Sequence, residues 1–251
     1  MNPILTHNLE VRFKTPDADD AFSFEFHLRL AQQFLGSVAA SDPLLKDTEW
    51  LIATGERETS YLYPVFDSSG PTTAALAVMT TKSKKWPGVK SFTLWNGQED
   101  RDKGASLTCR FGREDGVASS FKLSLRSPRE QMRLGGWSQV AEALGAAAKI
   151  FAPIYGVVET MYYDAVFKDR PGVGWMLYLP RLLTAQQVPE ARALMPVMST
   201  GEKGKDKQVG TIIVSVTDEP FTEDNPEHVK IANAIEIRLV DQDLLPRYTD
   251  L

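Results

Sequence analysis

The sequence predicts an α+β fold: a single domain, residues 1–251, with a largely antiparallel or mixed sheet flanked by helices. Three observations carry that prediction. Strand-like runs outnumber helical ones, several neighbouring runs are joined by turn-rich sequence as hairpins would be, and others are separated by amphipathic helical stretches. No linker, fixed-period repeat or low-complexity tract divides the chain, and 43% hydrophobic content over 251 residues is enough for one large core.

Residues 9–14 alternate apolar and polar, as a strand with one solvated face does, and Thr15-Pro16 stops them. The next stretch has two signals. Phe22, Phe24, Phe26, Leu28 and Leu30 alternate like a strand, yet Asp17, Asp19 and Asp20 favour a helix start and no breaker follows before residue 40, so a helix is expected. Asp42-Pro43 is a stop, residues 49–54 read as a strand, and residues 60–67 as an edge or packed loop because Pro64 interrupts them. Gly70-Pro71-Thr72-Thr73 opens an alanine-rich helix through Met79 that ends in Lys82, Lys84 and Lys85, before Trp86-Pro87-Gly88 breaks it.

Residues 91–95, 105–111 and 117–125 form a three-stranded meander. Its first connection, residues 96–104, begins with Asn-Gly and is too long for a two-residue hairpin, whereas residues 112–116 make a tighter turn. A helix from 138 to 151 ends at Pro153. Then come a strand over 155–162, a short turn, a buried strand over 174–179, a short helix over 184–194 and a mobile loop over 201–207.

The best-specified stretch is 210–246. Residues 211–216, Thr-Ile-Ile-Val-Ser-Val, read as a central strand covered on both faces. Asn225 then caps a helix with Pro226 at its first position and Glu227 at the positive end of the dipole; Pro246 ends it. Val229, Ala232, Ile235, Leu239 and Val240 share one face, and Ile231, Ala234 and Ile237 widen it, so packing on more than one side is expected. Glu236 falls inside the apolar arc, where a carboxylate at the rim, paired with an Arg or a backbone N–H, is expected.

With 28 Lys+Arg against 33 Asp+Glu, the chain lacks the cationic excess of a nucleic-acid binder and suits a basic partner. No leader-like or membrane-spanning run is apparent, and Cys109, the single cysteine, excludes an intrachain disulfide, so a soluble, cytoplasmic protein is expected. His7, His27 and His228 have no metal-ligand spacing, and Cys109 sits in a strand as an inert thiol. Residues 201–207 lack the spacing of a phosphate loop. No catalytic residue, metal, cofactor or small-molecule substrate is therefore expected.

Most of Trp50, Trp86, Trp95, Trp137, Trp175, Tyr61, Tyr63, Tyr155, Tyr162 and Tyr163 belong in a core; any exposed beside the acidic loops would anchor a protein interface. Two acidic turns compete for that role, Glu99, Asp100 and Asp102 in one and Glu114 and Asp115 in the other, at opposite ends of the meander. Glu99, Asp100 and Asp102 are favoured because their loop is long enough to enter a partner's cleft; a solvated loop without a partner explains the same charges equally well.

The order and spacing of several segments carry a resemblance over nearly the full length. They are Trp50, Leu62-Tyr63-Pro64-Val65-Phe66, Gly70-Pro71-Thr72, Gly88-Val89-Lys90 to Leu94-Trp95-Asn96-Gly97, Gly104-Ala105-Ser106-Leu107, Gly174-Trp175 to Leu179-Pro180, and the module from Gly210 through Asn225-Pro226-Glu227-His228 to Leu245-Pro246. In these the chain resembles the immunity protein 52 family of bacterial polymorphic toxin systems, with a further likeness to a type VI secretion immunity protein. The resemblance implies a non-enzymatic inhibitor that binds a cognate nuclease toxin of restriction-endonuclease-like fold. It carries over no catalytic residues, and the 201–207 loop is more extended and basic than the family leads one to expect.

Overall fold

A computed structural model describes residues 4–84, 88–112, 118–128, 132–200 and 205–250. Its centre is β1 (Ile4–Phe13), fifth of nine strands in one sheet. β1 pairs antiparallel with β7 (Ser119–Pro128) on one side and β8 (Tyr155–Thr160) on the other. Beyond β7 lie β6 (Ala105–Gly112), β5 (Val89–Trp95) and the two-residue β2 (Leu51–Ile52). Beyond β8 lie β9 (Met176–Leu179), β11 (Asp206–Val214) and the edge strand β10 (Ala193–Thr200). Every named pairing is antiparallel, including the small separate ribbon of β3 (Phe66–Asp67) and β4 (Gly70–Pro71).

One face of the sheet is covered by helices. α1 (Phe24–Val38) starts where the Ser23 hydroxyl accepts from the Phe26 N–H at 3.1 Å, and it buries Phe24, Leu28, Ala31, Phe34, Leu35 and Val38. α4 (Trp137–Phe151) packs beside it and crosses β1, β8, β9, β10 and β11. Gly145 of α4 faces β11 and β10, since a Cβ added there would lie 3.7 Å from Ile212 Cδ1 and 4.0 Å from Val197 Cγ2, ordinary contact distances. The short α2 (Arg57–Tyr61) and the alanine-rich α3 (Thr73–Ser83), capped by the Thr72 hydroxyl, flank the β5 side.

The other face differs along the sheet. Leu177 and Ile213 are paired neighbours pointing away from α4, since Tyr178 and Ile212 occupy the α4 side; both are nevertheless fully buried. They share one buried cluster with Val173 and with Ala232, Ile235 and Leu239 on the apolar side of α5 (Pro226–Asp241). Over β5, β6, β7 and half of β1 no helix of the described residues covers this face. Paired rows of Ser91 and Arg110, Thr93 and Thr108, and Trp95 and Ser106 are exposed or half-buried there, and they continue into Ser120, Lys122, Ser124 and Arg126.

Several expectations shift. No helix forms over 184–194: residues 184–188 make a turn, Pro189 prevents its continuation, and Ala193 begins β10, an edge strand able to hold Pro196. β11 starts at Asp206, so Asp206 and Lys207 belong to a strand, while 201–204 of the expected loop lie outside the described residues. β11 is also second from the sheet edge, not central, although residues 211–216 are all buried. α5 ends at Asp241, before Pro246, where Asp243 takes a left-handed conformation (φ 53°). One of its flanks stays open, with Ile237 47% exposed. The strand expected over 49–54 shrinks to Leu51–Ile52, and the packed loop over 60–67 begins as the last residues of α2. Trp86, Glu114 and Asp115 lie outside the described residues.

Glu236 is not at a rim. It is fully buried, and its carboxylate accepts from the backbone N–H groups of Val166 at 2.8 Å and Val173 at 2.9 Å, and from the Tyr163 hydroxyl. The expected backbone pairing is thus present without an arginine. Burial raises its pKa, and the three donors pull the other way. This carboxylate pins residues 163–173 onto α5.

Candidate functional site

The connection between β5 and β6 is held at its root. Asn96 is fully buried; its amide oxygen accepts from the Ala105 N–H at 2.7 Å, and its NH₂ donates to the carbonyls of Lys103 at 3.0 Å and Leu44 at 3.3 Å. Gly97 follows in the left-handed region at φ 66°, which accounts for the Asn-Gly in the sequence. Arg133 adds a second clamp. Its guanidinium donates to the carbonyls of Lys103 and Gly104, each at 2.8 Å, and pairs with the equally buried Asp42 at 2.6 Å. A rigid base therefore carries an exposed tip.

At that tip the three predicted acids come together with Arg101 and Lys103 of the same loop and with one cation the sequence did not place beside them, Arg57. Glu99 pairs with Arg57 of α2 at 2.9 Å and accepts from the Tyr61 hydroxyl at 3.1 Å. Asp100 pairs with Lys103 at 2.6 Å, an interaction that raises the lysine's pKa, and Asp102 adds to it through space. Counting Arg101 and Lys103 of the loop and Arg57 of α2, three cations match the three acids, and the cluster is formally neutral. Pairs this exposed contribute little to stability and exchange readily.

Beside the acids stands the aromatic group that the sequence left unassigned. Tyr61, 48% exposed, meets Trp95 edge-on with ring centroids 5.7 Å apart. Trp95 in turn lines a groove of about 290 Å³ with Thr6, Gln98, Ser106, Ser124, Arg126 and Met161. Met161 is fixed there by its N–H, which donates to the Thr6 carbonyl at 3.1 Å, yet its side chain is 54% exposed; Tyr162, next to it, is 77% exposed. Trp50 and Trp175 are fully buried. No signal within one segment reveals this groove, because its walls come from β1, β5, β6, β7 and the residue after β8.

The groups that enzymes commonly use are elsewhere and engaged. Cys109 is buried in β6, and burial raises its thiol pKa. Burial lowers the His27 pKa to about 4 and lowers that of His7; His27 bonds the Ala21 carbonyl and His7 that of Phe221. His228 takes the Thr222 N–H at 3.2 Å and faces Glu219 at 3.0 Å. Among the described residues no three His, Cys, Asp or Glu side chains gather as metal ligands, and no helix is long and apolar enough to cross a membrane.

The comparisons bear on fold and family. No curated protein sequence matches the chain. Among solved structures, the Pseudomonas aeruginosa T6SS protein PA0821 shares the fold with a TM-score of 0.50 at 15% identity, over 93% of this chain and 76% of that one. The profile described as immunity protein 52 matches residues 25–247, from the first turn of α1 to the residues beyond α5. With nearly the whole chain matched, from the helical layer through both halves of the sheet, this protein belongs to the immunity protein 52 family.

Proposed function

We propose that the protein is a non-catalytic immunity protein: it binds and neutralises a cognate nuclease toxin of restriction-endonuclease-like fold and protects the producing cell from within its cytoplasm. The observation that carries the reading is the family match over residues 25–247. A type VI secretion setting accords with the description of the fold relative, and the acidic balance of the chain suits a basic, nucleic-acid-cutting partner. The toxin-facing surface in this reading includes Glu99, Asp100 and Asp102, carried on a loop whose root is too firmly held to collapse onto the sheet.

Co-expression with the toxin encoded beside this gene tests it. Growth should be restored, nuclease activity of the purified toxin should fall in proportion to added immunity protein, and the two should co-elute. Binding without loss of nuclease activity would instead indicate an adaptor, and failure to rescue growth would end the immunity reading.

A further inference from the structure

The acidic loop is locally neutral, so it supplies little of what holds a tight complex; the groove beside it has the features of an interface centre. Trp, Tyr, Met and Arg are the residue types enriched where protein interfaces are anchored, and here Tyr61, Trp95, Met161 and Arg126 gather at one end of the open sheet face, with the exposed Tyr162 next to Met161 in the chain. Trp95 is immobilised by strand pairing to Leu51 on one side and Ser106 on the other, with Tyr61 packed on it, so little side-chain freedom is lost when a partner covers it. Met161 is the adaptable wall. Around it the sheet carries Ser106, Ser124 and Thr6, short side chains that let a partner approach closely.

We propose that the groove between Trp95 and Met161 is the anchoring pocket for the toxin, receiving one large apolar side chain from a segment of it. The proposal rests on the immunity reading above and names the part of the surface that sets affinity. Charge around the groove defines the segment further. On the Gln98 side the groove leads to Glu99 and Asp100, where a basic residue of the toxin takes over the place of Arg57 or Lys103. Arg126 also lines the groove, beside Gly104, and among the described residues no carboxylate pairs with it, so it meets an acidic residue or a backbone carbonyl. The occupant is thus an apolar anchor accompanied by a basic residue and an acceptor.

Met161→Ser with Tyr162→Ser tests this in the full-length protein, because both side chains are exposed and their loss spares the core. The partner is the purified product of the adjacent toxin gene, with association and dissociation followed at two salt concentrations. The double variant should raise Kd about 30-fold or more, almost entirely through faster dissociation and with an unchanged salt slope. Thermal unfolding of the variant should match that of the unmodified protein. Arg126→Ala alone should also speed dissociation. A double variant that folds normally and binds within about threefold of the unmodified protein overturns the pocket while leaving the immunity reading intact. An unmodified protein that does not bind the toxin overturns both.

Discussion

The two halves of the sheet obey different rules. In β8, β9 and β11 both faces are covered, and the sequence shows it as unbroken apolar runs, Trp-Met-Leu-Tyr-Leu over 175–179 and Thr-Ile-Ile-Val over 211–214. In β5, β6 and β7 one face is open, and buried and accessible residues alternate: Leu107, Cys109 and Phe111 inward, Ser106, Thr108 and Arg110 outward. A continuous hydrogen-bonded ladder joins the halves, so the difference arises from what packs on the strands and not from the strands themselves. The covered half holds the fold; the open half is where a partner reaches flat, short-chained sheet surface.

The largest effect should come from breaking this rule in the covered half. Ile213→Asp places a charge with no partner between α5 and the sheet and should cost at least about 4 kcal/mol, enough to lose cooperative unfolding in a urea titration. Thr108→Asp, in the open half and paired with Thr93 on one side and Lys122 on the other, should change stability by less than about 1 kcal/mol. Equal losses at the two positions would erase the distinction.

Next is the clamp that makes the covered half covered. Glu236→Ala strands the N–H groups of Val166 and Val173 and the Tyr163 hydroxyl without their acceptor, at a cost of about 3 kcal/mol. Protection of the Val166 and Val173 amides against hydrogen exchange should fall with it. If those amides stay protected while global stability drops, the carboxylate does not hold the segment.

Most of the architecture was legible where one segment decides its own environment. The meander, α1, α4 and the Asn225-Pro226 start of α5 follow from alternation, helical spacing and caps. Legibility failed where distant residues decide. Residues 184–194 are rich in helix formers, but the pairing of Ala193 with Val214 draws the end of that stretch into the sheet. Glu236 looked like a rim residue because the segment that buries it, residues 163–173, comes from elsewhere in the chain. At the candidate site the acids could be read, but not Arg57, which lies 42 positions before Glu99 and neutralises it.

At the seam between the halves, Glu159 gives the comparison a pH dependence. Burial above all, with neighbouring Glu10 and Glu236 adding to it and Lys122 opposing, raises its pKa from 4.5 to about 7. A folded-state pKa above the unfolded one means that the folded protein binds the extra proton between those values. Stability from this group therefore falls as pH rises from about 4.5 to about 7 and is flat above. Glu159→Gln should remove that decline, seen as a urea midpoint that rises from pH 5 to pH 8 relative to its course in the unmodified protein; the lowered pKa values of His7 and His27 add a slope of the opposite sign that both proteins share. Glu236 titrates in the same direction, so any decline that persists in Glu159→Gln is assigned to it.

The smallest effect belongs to the acidic loop, and it separates charge from anchoring in the open half. Replacing Glu99, Asp100 and Asp102 by Ser leaves Arg57, Arg101 and Lys103 without these acids and turns a neutral cluster cationic. Stability should stay within about 0.5 kcal/mol, since the root of the loop is held by Asn96 and Arg133 and not by the acids. Against a basic toxin, association at low salt should slow about 3- to 10-fold and lose its salt dependence, while dissociation changes little. Arg57→Ala should act in the opposite sense, speeding association about twofold, because it frees the Glu99 carboxylate that Arg57 now occupies. Opposite shifts from the two variants would place the loop on the path of encounter even though it holds little of the final affinity. Association rates at low salt that respond to neither variant would move the interface away from this end of the sheet.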